Sequence, residues 1–383
     1  MLLKFKITED FQHNFWSRDN YLAMNWSLHD YIPEINKFHF FKFIQVDNSD
    51  VSSEARYFPV FIVSGDVITQ VNNFVDYVLN DPESFLNKKL IPVFLDPLEG
   101  YHEINNILES AAEKIVDICQ VYLIIGNKKI TEQVKVLKPY YTNHWVHHVD
   151  VTKHYTIVPL YKNHKVYINL NRTVREHRVI LLDMLLKNNL KDCGYNTWAN
   201  SAWGSNFRLT NGMHWKEYLD LFPTIEEHKP YDILDIEDIE AENPTCDIPV
   251  EHCMKSFLYI VTETHVNNSS MFISEKTYKP MRVGLPFIIL GNVGTLKTLK
   301  ELGFKTFSEW IDESYDLDLP LAERCNIIVK EIKKFAEMTA EQRLHIRGSM
   351  FPVIKHNYIH LNMLSKTSDM YDALVDIKNK EKE

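Results

Sequence analysis

The densest chemical signal in the sequence is Ile273-Ser274-Glu275-Lys276-Thr277-Tyr278-Lys279-Pro280. Ser274 is a good helix N-cap, which leaves the N–H groups of Glu275 to Thr277 free at the start of a helix. A helix start carries partial positive charge, and Lys276 and Lys279 add point charges, so the segment suits a diphosphate. Glu275 in the first turn complements the helix dipole, and its carboxylate is also able to accept two hydrogen bonds from vicinal hydroxyls of a ribose or sugar. Just upstream, Thr262-Glu263-Thr264-His265 closes an apolar run, which places Glu263 either at a ligand edge or in a solvated loop. Downstream, Gly291-Asn292-Val293-Gly294 closes the next apolar run, and its glycines permit a close backbone approach to a ligand. The three segments converge on one edge.

A second signal is the basic turn Asn169-Leu170-Asn171-Arg172-Thr173-Val174-Arg175-Glu176-His177-Arg178. Guanidinium groups grip phosphate oxygens in bidentate fashion. Arg172, in the turn, is the best placed, while Arg175 and Arg178, three apart, equally suit an exposed helix face. A general base must reach an acceptor hydroxyl, and Asp66 and Asp96 stand at strand ends of the first half. Asp66 is preferred because it follows Gly65, whereas Asp96 precedes Pro97 and suits a turn. His144, His147, His148 and Asp150 have metal-ligand chemistry, but their spacing matches no helical H-E-x-x-H, and Trp145 and Val146 read as packing residues. Asp316-Leu317-Asp318 sits in an acidic run after no buried strand. No metal site is expected at either place.

These residues need elements to hold them. Tyr57–Gly65, Leu90–Leu95 and Val121–Ile125 read as strands, with helices over Val67–Leu79 and Glu103–Cys119 between them. After a polar, His-rich passage (Tyr140–His154) the pattern restarts with a strand at Lys165–Leu170, the basic turn and a helix through Val179–Asn189. Ala199–Asn243 is aromatic and then acidic without period, and reads as a solvated insertion. Ser256–Thr262 is a strand, Glu275–Val283 a helix, Pro286–Leu290 a strand and Thr295–Leu302 a helix. Helices at Leu321–Met338 and Ala340–Met350 lead to Pro352, and a last helix starts near Val353. Alternating strands and helices predict an α/β protein with two Rossmann-like domains, 1–155 and 156–350, facing each other across a cleft. The segment 351–383 is expected to form a C-terminal helix, which in related folds crosses back to the first domain. Ligands of such folds lie outside the carboxyl ends of the strands. No Gly-rich dinucleotide turn follows any expected strand, which disfavours an oxidoreductase.

Composition sets the outer bounds. With 383 residues, 45% apolar and 25% charged, the chain is long enough for two cored domains, and 11 glycines and 15 prolines exclude collagen-like or disordered classes. The formal charge of −10 argues against a whole-surface polyanion binder. Five scattered cysteines with no C-x-x-C suit a reducing, cytoplasmic setting. No apolar run approaches the roughly eighteen residues of a membrane span, and no secretion signal is evident.

Ser274–Pro280 followed by Gly284-Leu285-Pro286-Phe287-Ile288-Ile289-Leu290-Gly291 resembles nucleotide-sugar glycosyltransferases of the two-Rossmann GT-B type. Phe257–Tyr315, with Gly303-Phe304-Lys305-Thr306-Phe307 and Trp310-Ile311-Asp312-Glu313-Ser314-Tyr315-Asp316, looks like a family of glycosyltransferases of tailed bacteriophages and large DNA viruses. The turn from Asn171-Arg172 to His177-Arg178 and the closing His356-Asn357-Tyr358 share that likeness, and the Glu-Lys pair is similar to the donor motif of fucosyltransferases. The resemblance implies a nucleoside diphosphate sugar such as a UDP-sugar as donor, with no further cofactor. It implies that Glu275 holds donor hydroxyls and Lys276 the diphosphate; the reading of the residues themselves adds Arg172, Arg175, Arg178, Glu263, Ser274, Lys279, Gly291 and Asn292 on the donor side. It also implies that the first half selects the acceptor. A viral setting, in the host cytoplasm, implies a 5-hydroxymethylated pyrimidine in duplex DNA, for which Lys88, Lys89, Lys128 and Lys129 are the paired basic residues of the first half. A lipid- or protein-linked glycan is the alternative acceptor, and a non-catalytic nucleotide-sugar scaffold is the alternative of another class.

Overall fold

Two parallel sheets hold every strand among the described residues, which in the computed structural model are 2–5, 42–45, 56–61, 67–96, 102–143, 145–148, 156–162, 164–201, 208–209, 212–229, 248–364 and 369–381. The chain divides into two compact units, Met1–His144 with Ser368–Glu383, and Trp145–Thr367.

The first unit contains β1 (Leu2–Phe5), β2 (Lys42–Gln45), β3 (Arg56–Phe61), α1 (Val67–Asn80), α2 (Pro82–Leu86), β4 (Leu90–Asp96), α3 (His102–Glu113), β5 (Tyr122–Ile125), α4 (Lys128–Thr131) and β6 (Lys138–Tyr141). Its six strands are ordered β2-β1-β3-β4-β5-β6, each pair parallel. Strands covered on both faces read as continuous apolar runs, as LIPVFL and YLII do. On α1, Val71, Phe74, Val75 and Val78 recur at helical spacing and form the buried stripe. From α3, Glu109 accepts the backbone N–H groups of Lys135, Val136 and Leu137, which fixes the approach to β6.

The second unit contains α5 (Trp145–His148), β7 (Lys165–Thr173), α6 (Glu176–Lys187), β8 (Gly194–Ser201), α7 (Trp215–Asp220), α8 (Pro223–Glu227), α9 (Val250–Met254), β9 (Ser256–Thr262), α10 (Glu275–Val283), β10 (Phe287–Leu290), α11 (Thr295–Glu301), α12 (Leu321–Ala336) and α13 (Ala340–Leu364). Its sheet is ordered β10-β9-β7-β8, also parallel. Both units therefore begin with the same winding: the second strand lies on one side of the first, and the third and fourth lie on the other. The chain is an α/β protein of two Rossmann-like units. In each unit the connections diverge at one switch point, β1/β3 and β7/β9, where the carboxyl ends of the strands leave a crevice. The last helix, α14 (Asp369–Lys380), belongs to the first unit. Tyr122 donates to Glu381, Tyr140 donates to Asp376 (2.7 Å), and the Asn143 N–H donates to Asp369 (3.1 Å).

Several elements depart from the sequence expectation. β6 and β8 run through segments that carry no clean strand pattern, and α3 ends at Glu113 rather than Cys119. Pro352 does not stop a helix: α13 continues across it from Ala340 to Leu364. A proline inside a helix removes one hydrogen bond and crowds the carbonyl four residues earlier. That carbonyl is on Gly348, an exposed residue, and on the solvent side of a helix a carbonyl can tilt outward toward water. None of the described helices is long and apolar enough to cross a membrane.

β8 is held in register by a glycine. Gly194 pairs with Tyr167 of β7, and a Cβ there would stand 2.3 Å from the Tyr167 ring. The ring covers the glycine, and its hydroxyl donates to Leu190 O and accepts from Asn196. Replacing Gly194 by Ala should overpack this contact and destabilise the protein by about 1–3 kcal/mol, measured as a lower urea midpoint, with the slope of the transition unchanged.

Candidate functional site

β9 is buried along its whole length, with an apolar run from Phe257 to Val261, and the chain leaves the sheet at Glu263, a residue with 0% exposure. A carboxylate at that depth must be met by donors. Oε1 accepts from the Ser274 N–H (3.1 Å) and Thr277 Oγ1 (2.5 Å), and Oε2 accepts from the Thr264 N–H (3.2 Å) and Ser274 Oγ (2.5 Å). Glu263 is thus neither solvated nor turned out toward a ligand: it braces the first turn of α10. Gly291 serves the same group. A Cβ at Gly291 would lie 3.2 Å from Glu263 Cγ and 2.8 Å from Thr295 Oγ1, so the close approach expected of this glycine is made to Glu263. Asn292 is also directed inward. Its oxygen accepts from the Phe272 N–H (3.2 Å) and its amide donates to Asn267 O (2.8 Å) and Ser270 Oγ (2.9 Å), shaping the loop between β9 and α10.

Ser274 has extended backbone (φ −91°, ψ 176°) and caps α10 by accepting the Lys276 N–H at 3.3 Å. The other end closes at Gly284, whose left-handed φ of 68° allows the Leu285 N–H to reach Pro280 O at 2.7 Å. Nearly all of this helix is buried; Lys276, with 31% of its side chain exposed, is its partial exception. The ammonium lies 2.8 Å from Glu275 Oε1, 3.3 Å from Ser274 Oγ and 3.4 Å from Thr264 Oγ1. Glu275 is 5% exposed in its side chain. Burial pushes its pKa up, but the charges of Lys276 and the buried Lys279 outweigh that and hold the carboxyl below its ordinary value. The arrangement is a helix N-terminus with an ion pair on it, one cation reaching solvent and its carboxylate reaching inward.

The basic turn divides into different roles. Arg172 lies in β7, where the register with β8 shifts between Asn171 and Thr173, and its side chain is outside the described ones. Arg175 is half-buried and occupies the N-cap of α6 with extended backbone. Arg178 is buried and does not decorate an exposed face. It donates to Thr173 O (2.9 Å), Thr262 O (3.2 Å) and Glu263 O (3.2 Å), clamping the ends of β7 and β9 at the switch point. Burial, with Arg175 next, lowers its pKa to about 10. Sequence reasoning missed His177, which is buried beside it, 2.8 Å from Glu263 O through Nε2. A carbonyl accepts only, so Nε2 carries the proton. Burial, and then Arg178, hold the pKa of this imidazole well below its ordinary value, so it stays neutral. It also missed Arg324 of α12, which donates to Tyr315 O (2.6 Å), Val266 O (3.1 Å) and Gly291 O (2.7 Å). No spacing in the sequence announces either residue. Thr277 was legible in principle, being three residues beyond the Ser274 cap.

Asp66, His144 and Asp150 lie outside the described residues, as do the side chains of Asp96, His147 and His148. Asp96 is the last residue of β4. Asp316 caps α11 by accepting the Leu296 N–H at 3.0 Å, and burial raises its pKa to about 6.

No family model matches the chain, and no curated protein matches it. Among solved structures it is similar to a trehalose-6-phosphate synthase, with 12% identity and a TM-score of 0.38 over 93% of this chain and 76% of that one.

His177 gives the unit a pH dependence with a definite sign. Its folded pKa lies below the unfolded value of about 6.5, so on acidification the unfolded chain takes a proton that the folded chain refuses. Stability is full above about pH 6.5 and falls as the pH drops below it, by up to about 1.4 kcal/mol per unit. In His177→Gln, which keeps a donor for Glu263 O, urea midpoints measured from pH 7 to 5 should lose this component of the slope.

Proposed function

We propose that the protein is a glycosyltransferase that moves a sugar from a nucleoside diphosphate donor to an acceptor hydroxyl. The observation that carries the reading is the start of α10. A capped helix N-terminus at the carboxyl edge of a parallel sheet, beside the β7/β9 switch point, presents the partly exposed Lys276 ammonium next to the buried Glu275 carboxylate. The first-turn N–H groups are not free as the sequence suggested, since those of Lys276 and Thr277 donate to Ser274 Oγ and Ser274 O. The diphosphate lies against this terminus, where the Lys276 ammonium and the partial positive charge of the helix start stabilise the charge that develops as the glycosidic bond to the leaving phosphate breaks. Arg172 and Arg175 are assigned to the same anion, and Arg178 is left out because its guanidinium is engaged with main-chain carbonyls. When the ammonium turns to the phosphate, Glu275 is released to accept hydroxyls of the donor. The stabilising charge is supplied by the chain rather than by a divalent cation. Asp66 or Asp96 of the first unit takes the acceptor proton in an inverting transfer.

A 5-hydroxymethylated pyrimidine in DNA and a lipid- or protein-linked glycan are the two acceptors to separate. Of the four lysines a DNA backbone would meet, Lys88 is half exposed and stands 3.6 Å from Glu381, a surface pair too weak to decide between the two acceptors.

The first test is a thermal-shift panel of nucleoside diphosphates and nucleotide sugars on the wild type and Lys276→Ala. A ligand at a hundred times its dissociation constant stabilises the folded state by about 2.7 kcal/mol, and a shift for one nucleotide that is clearly smaller in the variant is the expected result. No shift with any nucleotide overturns the reading. The selected donor, incubated with hydroxymethylated DNA or glycan acceptors, then identifies the acceptor by which of them gains mass.

A further inference from the structure

We propose that Glu263 is a positioning residue that sets where the Lys276 ammonium stands, a role that rests on the donor-site reading of α10. A carboxylate accepts and never donates, so the single hydroxyl proton of Ser274 is committed to Glu263 Oε2. Ser274 is left with only lone pairs to offer, and these face the Lys276 N–H and Nζ at 3.3 Å each. Thr264 is held by the same carboxylate through its N–H, and its Oγ1 lies 3.4 Å from Lys276 Nζ. Two of the three oxygens around the ammonium therefore belong to residues that Glu263 fixes. The third, Glu275 Oε1, sits one residue after the cap that Glu263 holds.

Glu263 is itself fixed from the opposite side. Its carbonyl accepts from His177 Nε2 and Arg178, and Gly291 has no side chain to displace its stem. With the carboxylate wholly buried, no solvent is at hand to replace a lost donor or acceptor. The position of the sheet edge is thus passed through one side chain to the one cation of the first turn of α10. Replacing Glu263 by Gln puts an amide N–H at one of the two acceptor positions, and in either orientation Ser274 loses a bond, that of its hydroxyl at Oε2 or that of its N–H at Oε1. The oxygens around the Lys276 ammonium are then no longer held in place.

The test is a double-mutant cycle read by calorimetric titration of inorganic diphosphate, uridine diphosphate and guanosine diphosphate into the wild type, Glu263→Gln, Lys276→Ala and the double variant. If Glu263 acts through Lys276, Glu263→Gln weakens binding by about tenfold or more in the wild-type background and by less than about twofold in the Lys276→Ala background. A fold that is merely loosened weakens binding equally in both backgrounds, and that result overturns the proposal while leaving the donor site standing. Failure of the wild type to bind any of the three, or full binding by Lys276→Ala, overturns the donor-site reading and the proposal with it. Should Glu263→Gln not fold, Ser274→Ala takes its place in the cycle with the same expectation. Thr277→Val, which removes a donor to Glu263 without touching Ser274, then serves as the control: it should lower the melting temperature and leave affinity within about twofold.

Discussion

A carboxylate with no access to water governs the second unit. Glu263 sits at the point where β9 ends, and every neighbour is chosen to make its charge tolerable. Two hydroxyls and two main-chain N–H groups meet its oxygens, a glycine makes room for its stem, and a neutral imidazole and a guanidinium hold its carbonyl. Removing any one of these leaves a polar group without a partner in a place that offers no substitute, which costs more than the hydrogen bond itself contributes. The constraint ties together four elements that are far apart in sequence: α6, β9, α10 and the end of β10. The edge of the sheet is consequently stiff where the start of α10 must be held, and the partly exposed cation of that helix stands on a braced base.

Much of this frame was legible in the sequence. Ser256–Thr262 and Glu275–Val283 have the bounds read from apolar runs and capping, because a fully buried parallel strand and a Ser-capped, Gly-terminated helix leave unambiguous local marks. β8 was not legible. It contains Asn196, Thr197 and Asn200, and it is held by its ladder to β7, where Tyr167 lies over Gly194, long-range contacts that no local pattern encodes. The insertion expected from Ala199 onward contains α7 and α8, whose Trp215, Tyr218 and Ile225 pack against Val179, Leu182 and Leu186 of α6. The site was legible as a place but not as a division of labour. Ser274, Glu275 and Lys276 assemble at the helix start, whereas Glu263, Gly291, Asn292 and Arg178 prove to be its inner framework.

Arg178 is one of a set. Arg324, Arg343 and Arg347 are buried too, and each donates to main-chain carbonyls: Gly291 O at 2.7 Å from Arg324, Phe335 O at 3.0 Å from Arg343, Gly284 O at 2.6 Å from Arg347. Carbonyls at the ends of helices and strands have no partner within their own element, and a planar group with five donors is suited to collect several at once. A guanidinium read from sequence as an anion ligand therefore competes with the unpaired carbonyls of the fold's own loops. In this protein the interior claims most of the buried arginines, and the charge offered to solvent at α10 is a lysine.

The return of α14 to the first unit has a kinetic consequence. The phenols of Tyr122 and Tyr140 find their carboxylates only in the last residues of the chain, after about 220 residues of the second unit have been made. At roughly 5–20 residues per second, ribosomal synthesis of that stretch takes about 10–45 s. During that interval β5 and β6 have emerged without the helix that receives their hydroxyls, and the second unit completes its own sheet first. The order of emergence from the ribosome is thus the reverse of the order of completion, and the first unit is the last to become whole.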